Sequence, residues 1–375
     1  MLSVGVLAII RVDMTDQSTV VLGSGLPTSR FANPQAFTLV IVLGTAIPFL
    51  VPVLPAAPDF SLTTAIEFVA VIHVPMTLYL LFDADIRSMM KRHPGLLVGA
   101  PLAFFLFGVF LFIFPAALLP VNGNWPLTYG LVLISIWQNW HFGKQNVGVY
   151  ALIRQAQKIG PMSITERRMI VAGSALGALA AYFGAADVQS QRGPTVGFPL
   201  LLATVDALTP VATLAAFGLL AFSVTHVARS RRRMTASAAI IFLLSANFFL
   251  PFYLVAVSLP NVLGITAFAH GVQYMAFLMF HSANYRGAGR WMMAVFALCV
   301  VVTGELYWFH LVVPEHWFGR RVGVLIGMDN SVAHVSAALA TGILLAHFWF
   351  DSVIWRLKNA DSRAWVTQRY SFLFR

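Results

Sequence analysis

Charged residues are scarce in this sequence. Asp, Glu, Lys and Arg make up 10% of its 375 residues, against about 25% in soluble globular proteins. A water-soluble domain of this length would have too little polar surface to cover itself, which excludes an ordinary cytosolic fold. Cysteine is almost absent as well. Cys299 stands alone, which excludes an intramolecular disulfide and a cysteine-based metal site.

Hydrophobic residues are correspondingly abundant. They account for 59% of the chain, and 13% of all residues are aromatic, which excludes a disordered, solvated polypeptide. A helix needs about 20 apolar residues to cross the hydrocarbon core of a bilayer. Ten segments meet this requirement: 36–57, 61–82, 95–119, 126–150, 169–187, 198–223, 236–258, 261–283, 291–313 and 324–350. We therefore predict an all-α, polytopic integral membrane protein, a bundle of about ten transmembrane helices.

The positive charges indicate which side of the membrane each connection occupies. If the ten spans cross in turn, the connections on the side of the N-terminus carry 20 Lys and Arg residues, and those on the opposite side carry 3. Basic residues concentrate in cytoplasmic loops, so we predict a bacterial-type inner or plasma membrane protein with both termini cytoplasmic. The predicted organisation is an N-terminal interfacial segment (1–35), a transmembrane domain (36–350) and a basic tail (351–375).

The net charge of +10 bears on lipids rather than on nucleic acids. The densest basic run, Arg229–Arg233, closely follows an apolar span, where Lys and Arg contact anionic headgroups. We predict that the cytoplasmic basic loops bind anionic lipid headgroups and that the chain has no nucleic-acid partner.

Histidines outnumber acidic residues within the predicted spans. Seven of the ten histidines fall there, and each is costly in hydrocarbon unless it pairs with another group or binds a ligand. Six are candidate metal ligands: His73, His141, His270, His281, His334 and His347. Neutral imidazoles suit iron, copper or zinc, and the lack of thiolates disfavours structural zinc and iron–sulfur clusters. We predict a bound metal ion, with non-haem iron preferred over copper and zinc.

Depth in the membrane divides these candidates into two layers. Measured at 1.5 Å per residue from the cytoplasmic span ends, a middle layer comprises His73, His141, His270 and His334. An inner layer, near the cytoplasmic boundary, comprises His281, His347 and Asp351. A single middle site requires that spans 2, 4, 8 and 10 lie side by side.

Helical spacing provides residues that could orient the ligands from a second shell. Gln138 and Gln145 share a stripe with His141 on the fourth span. Tyr274 lies between His270 and His281 on one face of the eighth span. Asp351 follows His347 by four residues, where a carboxylate can fix the tautomer of a ligating imidazole.

Two short motifs resemble a known family. His141-Phe-Gly143 lies late in a span, and a later span contains His281-Ser282, as in the Brp/Blh family of membrane β-carotene-cleaving oxygenases. The resemblance implies an all-helical bundle whose membrane histidines hold a non-haem iron, with His141 and His281 as candidate ligands and a carotenoid as substrate. The sequence departs from the family twice: Lys144-Gln-Asn146 replaces an expected acid, and Tyr285 replaces an expected histidine.

These patterns favour a membrane-embedded metalloenzyme. We predict a metal-dependent oxidoreductase or oxygenase that acts on a lipid or isoprenoid substrate entering from the bilayer. Two other functions stay open. One is a proton-coupled transporter or channel whose histidines relay protons near neutral pH. The other is an electron-transfer subunit that carries haem b between facing histidines.

Overall fold

The computed structural model describes residues 33–53, 72–118, 125–191, 199–254, 259–284, 295, 298 and 331–374. All secondary structure among these residues is helical, without a strand. The predicted all-α class is therefore confirmed.

The helices within these ranges are numbered here in chain order. They are α1 (Pro34–Ala46), α2 (Ile72–Phe82), α3 (Ala84–Arg92), α4 (Ala100–Leu118), α5 (Trp125–Ala156), α6 (Ile164–Gln191), α7 (Pro199–Ser230), α8 (Ala236–Ala246), α9 (Pro251–Leu254), α10 (Leu259–Asn284), α11 (Ser331–Ile354) and α12 (Ala360–Arg369). Nine of the ten predicted spans contain one of these helices. The ninth span, 291–313, lies outside the described residues except for positions 295 and 298, and the predicted segment 1–35 lies almost wholly outside them.

Side-chain caps fix where several helices begin. Asp83 accepts a hydrogen bond from the backbone of Asp85 at 2.8 Å and so starts α3. Ser163 and Glu166 form a reciprocal capping box at the start of α6, with distances of 2.6 Å and 3.2 Å. These caps satisfy backbone donors that would otherwise have no partner at a helix N-terminus.

Several predicted spans are not uniform α-helices, among them the second, where Thr77–Phe82 is a 3₁₀ helix, and the third, where Gly95–Gly99 is a π-helix. The span predicted at 236–258 is interrupted: α8 ends at Ala246, and non-helical residues 247–250 precede Pro251. Proline disfavours the α conformation in the residue before it, which explains the break. The first predicted span changes from α-helix to 3₁₀ helix after Ala46.

One helix among the described residues is long and apolar enough to cross a membrane, the segment Thr204–Ser230 of α7. A second qualifies if Ala84–Arg92 and Gly95–Phe110, which meet at a bend of 106°, count as one span. α10 is also long, but polar residues such as His270 and Gln273 lower its mean hydropathy. The prediction of ten spans therefore rests on the apolar runs of the sequence rather than on these helices.

α5 and α10 run parallel in a constant register. Three pairs of residues are in contact along them: Asn139 with Thr266, Phe142 with His270, and Asn146 with Gln273. From one pair to the next, the residue numbers rise along both helices, so polar side chains of the two helices lie at matching levels.

α11 lies against both α10 and α4. It runs parallel to α10, because Tyr274 contacts His347 and Asp351 while Phe277, further along, contacts Trp355. Its contact with α4 is close, since Gly108 and Gly342 meet at the crossing. Small residues at such a crossing let two helix backbones approach. The predicted spans 2, 4, 8 and 10 contain α2, α5, α10 and α11, and these four helices lie side by side.

The C-terminal segment folds back onto the bundle. α11 continues through Ile354, so the boundary predicted at residue 350 falls inside a helix. Trp365 of α12 donates to Asp83 at 2.9 Å, and Tyr370 donates to the backbone carbonyl of Phe277 at 2.9 Å. Both aromatic residues are buried, so much of the predicted tail is part of the packed structure.

Candidate metal centre

Four side chains from three helices converge in the interior. They are His141 of α5, His270 of α10, and His347 and Asp351 of α11, which we call the ligand cluster. One potential ligand atom from each lies within 4.8 Å of the others. Three of the four residues are buried, and the side chain of His141 is 11% exposed.

The distances within the ligand cluster are too long for hydrogen bonds. Oδ2 of Asp351 lies 3.6 Å from Nε2 of His347 and 3.9 Å from Nε2 of His141. Two ligand atoms bound to one metal at about 2.1 Å are separated by about 3.0 to 4.2 Å, depending on the coordination angle. The two distances to Asp351 fall within this range, as expected for ligands of a single ion.

The imidazole nitrogens of the cluster have few other partners. Within the described part of the chain, Nε2 of His141, Nε2 of His347 and both ring nitrogens of His270 are buried without a hydrogen-bond partner. Leaving a buried polar atom unsatisfied costs about 1–3 kcal/mol. A bound cation would offset this cost, because it would use the nitrogen lone pairs that face the centre.

A directional chain of hydrogen bonds orients two members of the cluster. Tyr274 Oη donates to Oδ1 of Asp351 at 3.0 Å. This uses the only phenol hydrogen, so Thr77 Oγ1, 2.9 Å away, donates to Tyr274. Thr77 then has no hydrogen left for Nδ1 of His347 at 2.6 Å, and the imidazole must be the donor. Nε2 of His347 therefore presents its lone pair toward Asp351 Oδ2, as a metal-binding imidazole does.

His73 of α2 adjoins the ligand cluster. Its ring centroid lies 4.6 Å from that of His270 and 5.1 Å from that of His347, and its side chain is buried. The structure therefore brings four of the six predicted ligands together: His73, His141, His270 and His347.

Aromatic side chains border one flank of the cluster. Phe142 stacks on His270 at 4.3 Å between ring centroids, and Phe348 lies 4.8 Å from His141. Trp137 and Phe104 extend this aromatic wall from Phe348 to α4, through centroid separations of 5.9 Å and 5.1 Å. The flank is apolar, which suits an apolar ligand better than a polar one.

The structure does not bring His281 to the ligand cluster. Its Nε2 lies 2.9 Å from Oδ2 of Asp83, and its Nδ1 lies 3.0 Å from Oη of Tyr79. Both ring nitrogens are thus engaged in a separate buried network.

Asp83 is the centre of that network. It accepts hydrogen bonds from His281, Trp365 and Arg369 at 2.8–2.9 Å. Burial raises the pKa of Asp83, but the hydrogen bonds from these three residues and the charge of Arg369 outweigh it and hold the pKa well below its ordinary value. The ionised carboxylate therefore fastens α12 to α10 and to the start of α3.

The remaining predicted residues take varied places. His334 lies on α11, but its side chain falls outside the described side chains. Gln138 and Gln145 lie about one turn to either side of His141, both half-buried. Tyr274 does contact the cluster, through its hydrogen bond to Asp351. Asp351, predicted to orient a ligand, is itself positioned as one.

Depth alone assigned His347 and Asp351 to a different layer from His141 and His270. The structure places all four together, because the helices are shifted along their axes relative to the predicted span ends. Thr77 was missed altogether. It follows His73 by four residues on α2, and this spacing is the signal that could have identified it.

No protein-family model matches this sequence, and no characterised protein or solved structure is significantly similar to it.

Proposed function

We propose that this protein is a membrane-embedded metalloenzyme in which His141, His270, His347 and Asp351 bind one metal ion. The observation that carries the proposal is the convergence of these four ligand atoms within 4.8 Å in the interior. Three imidazoles and one carboxylate suit iron, copper or zinc, and we prefer non-haem iron because imidazole–carboxylate sets with open positions are typical of non-haem iron oxygenases. When bound, such an ion would supply redox chemistry with dioxygen.

The chain's own residues prepare the site for the ion. The hydrogen bonds through Thr77 and Tyr274 hold His347 and Asp351 in their ligating orientations. The stacked ring of Phe142 limits rotation of His270. Ligands fixed in this way lose little freedom on binding, which favours affinity.

The geometry favours a single ion over haem b. The electron-transfer hypothesis would require two facing histidines, one on each side of a haem b. Here four ligand atoms converge on one point from three helices, and a porphyrin plane between them would separate them.

We propose that the chain is a multi-pass membrane protein with about ten spans. The exposed faces of α1, α4 and α7 carry large apolar side chains: Leu39, Leu43, Leu102, Leu106, Phe107, Val211, Leu214 and Phe222. Only 17% of the apolar window in Thr204–Ser230 is buried, whereas a core helix of a soluble protein would be mostly buried. Apolar surface of this kind is stable in contact with lipid.

The relative directions of the helices support successive crossings. α2, α5, α10 and α11 are the second, fourth, eighth and tenth predicted spans, and their contacts make them parallel. Even-numbered spans of a chain that crosses in turn must be parallel. The span proposed at 291–313 would return the chain between α10 and α11.

An apolar lipid or isoprenoid is the substrate class that we propose. The aromatic wall runs from the ligand cluster to α4, whose outer face is apolar, so an apolar chain could enter from the bilayer along it. The Brp/Blh resemblance leads to a narrower proposal, in which the substrate is a carotenoid. His141 belongs both to the motif that carries the resemblance and to the ligand cluster. The exposed basic residues Arg231–Arg233 would contact anionic headgroups at the cytoplasmic surface.

Metal analysis of the full-length protein purified in detergent tests the proposal. We expect about one ion per chain in the wild type and a 10- to 100-fold or greater loss of metal affinity in His270→Ala. His226→Ala is the matched control, because His226 contacts Phe242 on α8, away from the cluster. Equal metal affinity in the two variants, or a wild type that binds neither iron, copper nor zinc, would contradict the proposal. A Soret absorption band would indicate haem instead.

A further inference from the structure

A pair of carboxamides lies between α5 and α10, about one helical turn beyond His270. Asn146 of α5 and Gln273 of α10 are both fully buried, at 0% and 1% exposure. Nε2 of Gln273 donates to Oδ1 of Asn146 at 3.0 Å and to Oγ1 of Thr45 at 2.7 Å. Thr45 in turn donates to the backbone carbonyl of Ile41. Both hydrogens of the Gln273 amide are therefore used.

Each carboxamide keeps one unpaired atom. Within the described residues, Nδ2 of Asn146 and Oε1 of Gln273 are buried without a hydrogen-bond partner. The first is a donor and the second an acceptor, and they belong to two amides that are joined by a hydrogen bond. Turning both amides over exchanges donor and acceptor but still leaves one of each. Buried groups of this kind call for a ligand or a water.

The position of the pair relates it to the metal centre. Gln273 follows His270 by three residues, a rise of about 4.5 Å along α10 on the same face. Asn146 lies at the matching level of α5, because the two helices are parallel and in register. The two carboxamides thus form a layer one turn beyond His270, toward the C-terminal ends of both helices and level with Tyr274, which contacts Asp351.

We propose that Asn146 and Gln273 form a subsite that binds a hydroxyl group next to the metal centre. A hydroxyl oxygen accepts from Nδ2 of Asn146, and its hydrogen is donated to Oε1 of Gln273, so both unpaired atoms are satisfied at once. A carbonyl or ether oxygen would satisfy the donor alone, an ammonium group the acceptor alone, and a methyl group neither.

The hydroxyl can come from an alcohol or from water. We commit to an apolar substrate that carries an alcohol, an inference that rests on the proposed function for the apolar part of the molecule. The hydroxyl would anchor the substrate in the carboxamide layer, and the neighbouring carbons would then lie at the level of His141 and His270. Sites built to hydrogen-bond a hydroxyl discriminate strongly against analogues that lack it, because their polar groups are left unpaired.

Binding of three related probes to the detergent-purified, full-length protein tests this subsite. The probes are an isoprenoid alcohol (farnesol), its methyl ether and the parent hydrocarbon, measured by competition against labelled alcohol. We expect the wild type to prefer the alcohol by about tenfold or more, the equivalent of one buried hydrogen bond. Gln273→Met and Asn146→Leu keep the side-chain size but remove the polar atoms, and should reduce this preference to near unity. Two variants are used so that the misfolding of one leaves the test intact.

Gln157→Met is the matched control. Gln157 directly follows α5 and its amide donates to Ser237, away from the carboxamide pair, so this variant should keep the preference for the alcohol. Equal binding of alcohol and ether to the wild type would overturn the proposal and leave only water between the carboxamides. An alcohol preference that survives in both variants would overturn it as well. Metal analysis of the same preparations separates the two proposals. If the protein prefers the alcohol but binds no metal, only the metalloenzyme proposal is contradicted. If it binds metal but does not prefer the alcohol, only the subsite proposal is contradicted.

Discussion

At the scale of single residues, Thr77 is the clearest example of a side chain that acts through its neighbours. It accepts from Nδ1 of His347 and donates to Tyr274, which donates to Asp351. One hydroxyl therefore fixes both the tautomer of an imidazole and, through the phenol, the orientation of a carboxylate. Partners of this kind are nearly as important to a metal site as the ligands themselves.

Replacing Thr77 by valine keeps the shape of the side chain and removes the hydroxyl. We expect Thr77→Val to weaken metal binding by about 10- to 100-fold, because His347 loses the acceptor that fixes its tautomer. A metal titration against a competing chelator measures the change, and full occupancy should return at higher metal concentration. Thr225→Val is the control, since Thr225 is exposed on α7 and bonds only to the carbonyl of Ala221. Unchanged affinity in Thr77→Val would show that the chain of hydrogen bonds does not serve the metal.

The sequence identifies residue chemistry better than it identifies neighbours. His141, His270 and His347 could be selected because ionisable groups are costly within apolar runs, and Asp351 because it follows His347 by one helical turn. The same reasoning selected His281, which the structure pairs with Asp83 instead. Which histidines meet depends on how far each helix is shifted along its axis, and apolar runs do not encode that shift.

At the scale of helices, α4 packs closely against α11, the helix that carries His347 and Asp351, two of the proposed ligands. A Cβ added to Gly108 would lie 2.7 Å from Cα of Gly342, closer than real Cβ atoms approach. Only glycine at this crossing allows the two backbones to pack, and α11 carries His347 about one and a half turns and Asp351 about two and a half turns further on.

Gly108→Ala should therefore separate α4 from α11. We expect it to lower the free energy of unfolding by about 1–3 kcal/mol, as overpacking of a tight contact does. Thermal unfolding of the protein in detergent measures the effect. Gly218→Ala on α7 is the control, because nothing lies within 4 Å of a Cβ at that position, and it should be neutral or slightly stabilising. Equal stability of the two variants would contradict a close crossing at Gly108.

The helices themselves were largely predictable, and the contacts between segments distant in sequence were not. Nine of the ten predicted spans, which are apolar runs of about 20 residues, coincide with helices, because such runs favour a fully hydrogen-bonded backbone. The break before Pro251 has a local cause that the sequence contains. α12 is different: its composition is polar, and its burial depends on Trp365 and Arg369 reaching Asp83, a contact distant in sequence.

At the scale of the whole molecule, parallel packing explains why one site can form at all. α5, α10 and α11 run in the same direction, and His141, His270 and His347, from three distant segments of the chain, reach one level. The ionised Asp83 holds the C-terminal segment against the same helices. The sequence supports this parallel arrangement only through the count of spans, whereas the lateral order of the helices comes from packing.

X-ray absorption at the metal edge of the reconstituted, full-length protein tests directly whether His141, His270 and His347 bind one metal ion. We expect one metal per chain with a shell of nitrogen and oxygen ligands at about 2.0–2.2 Å. Outer-shell scattering should correspond to three imidazoles, those of His141, His270 and His347. No sulfur ligand should be detected in the metal's coordination shell. A protein that binds no metal, or a metal shell without imidazole scattering, would contradict the account.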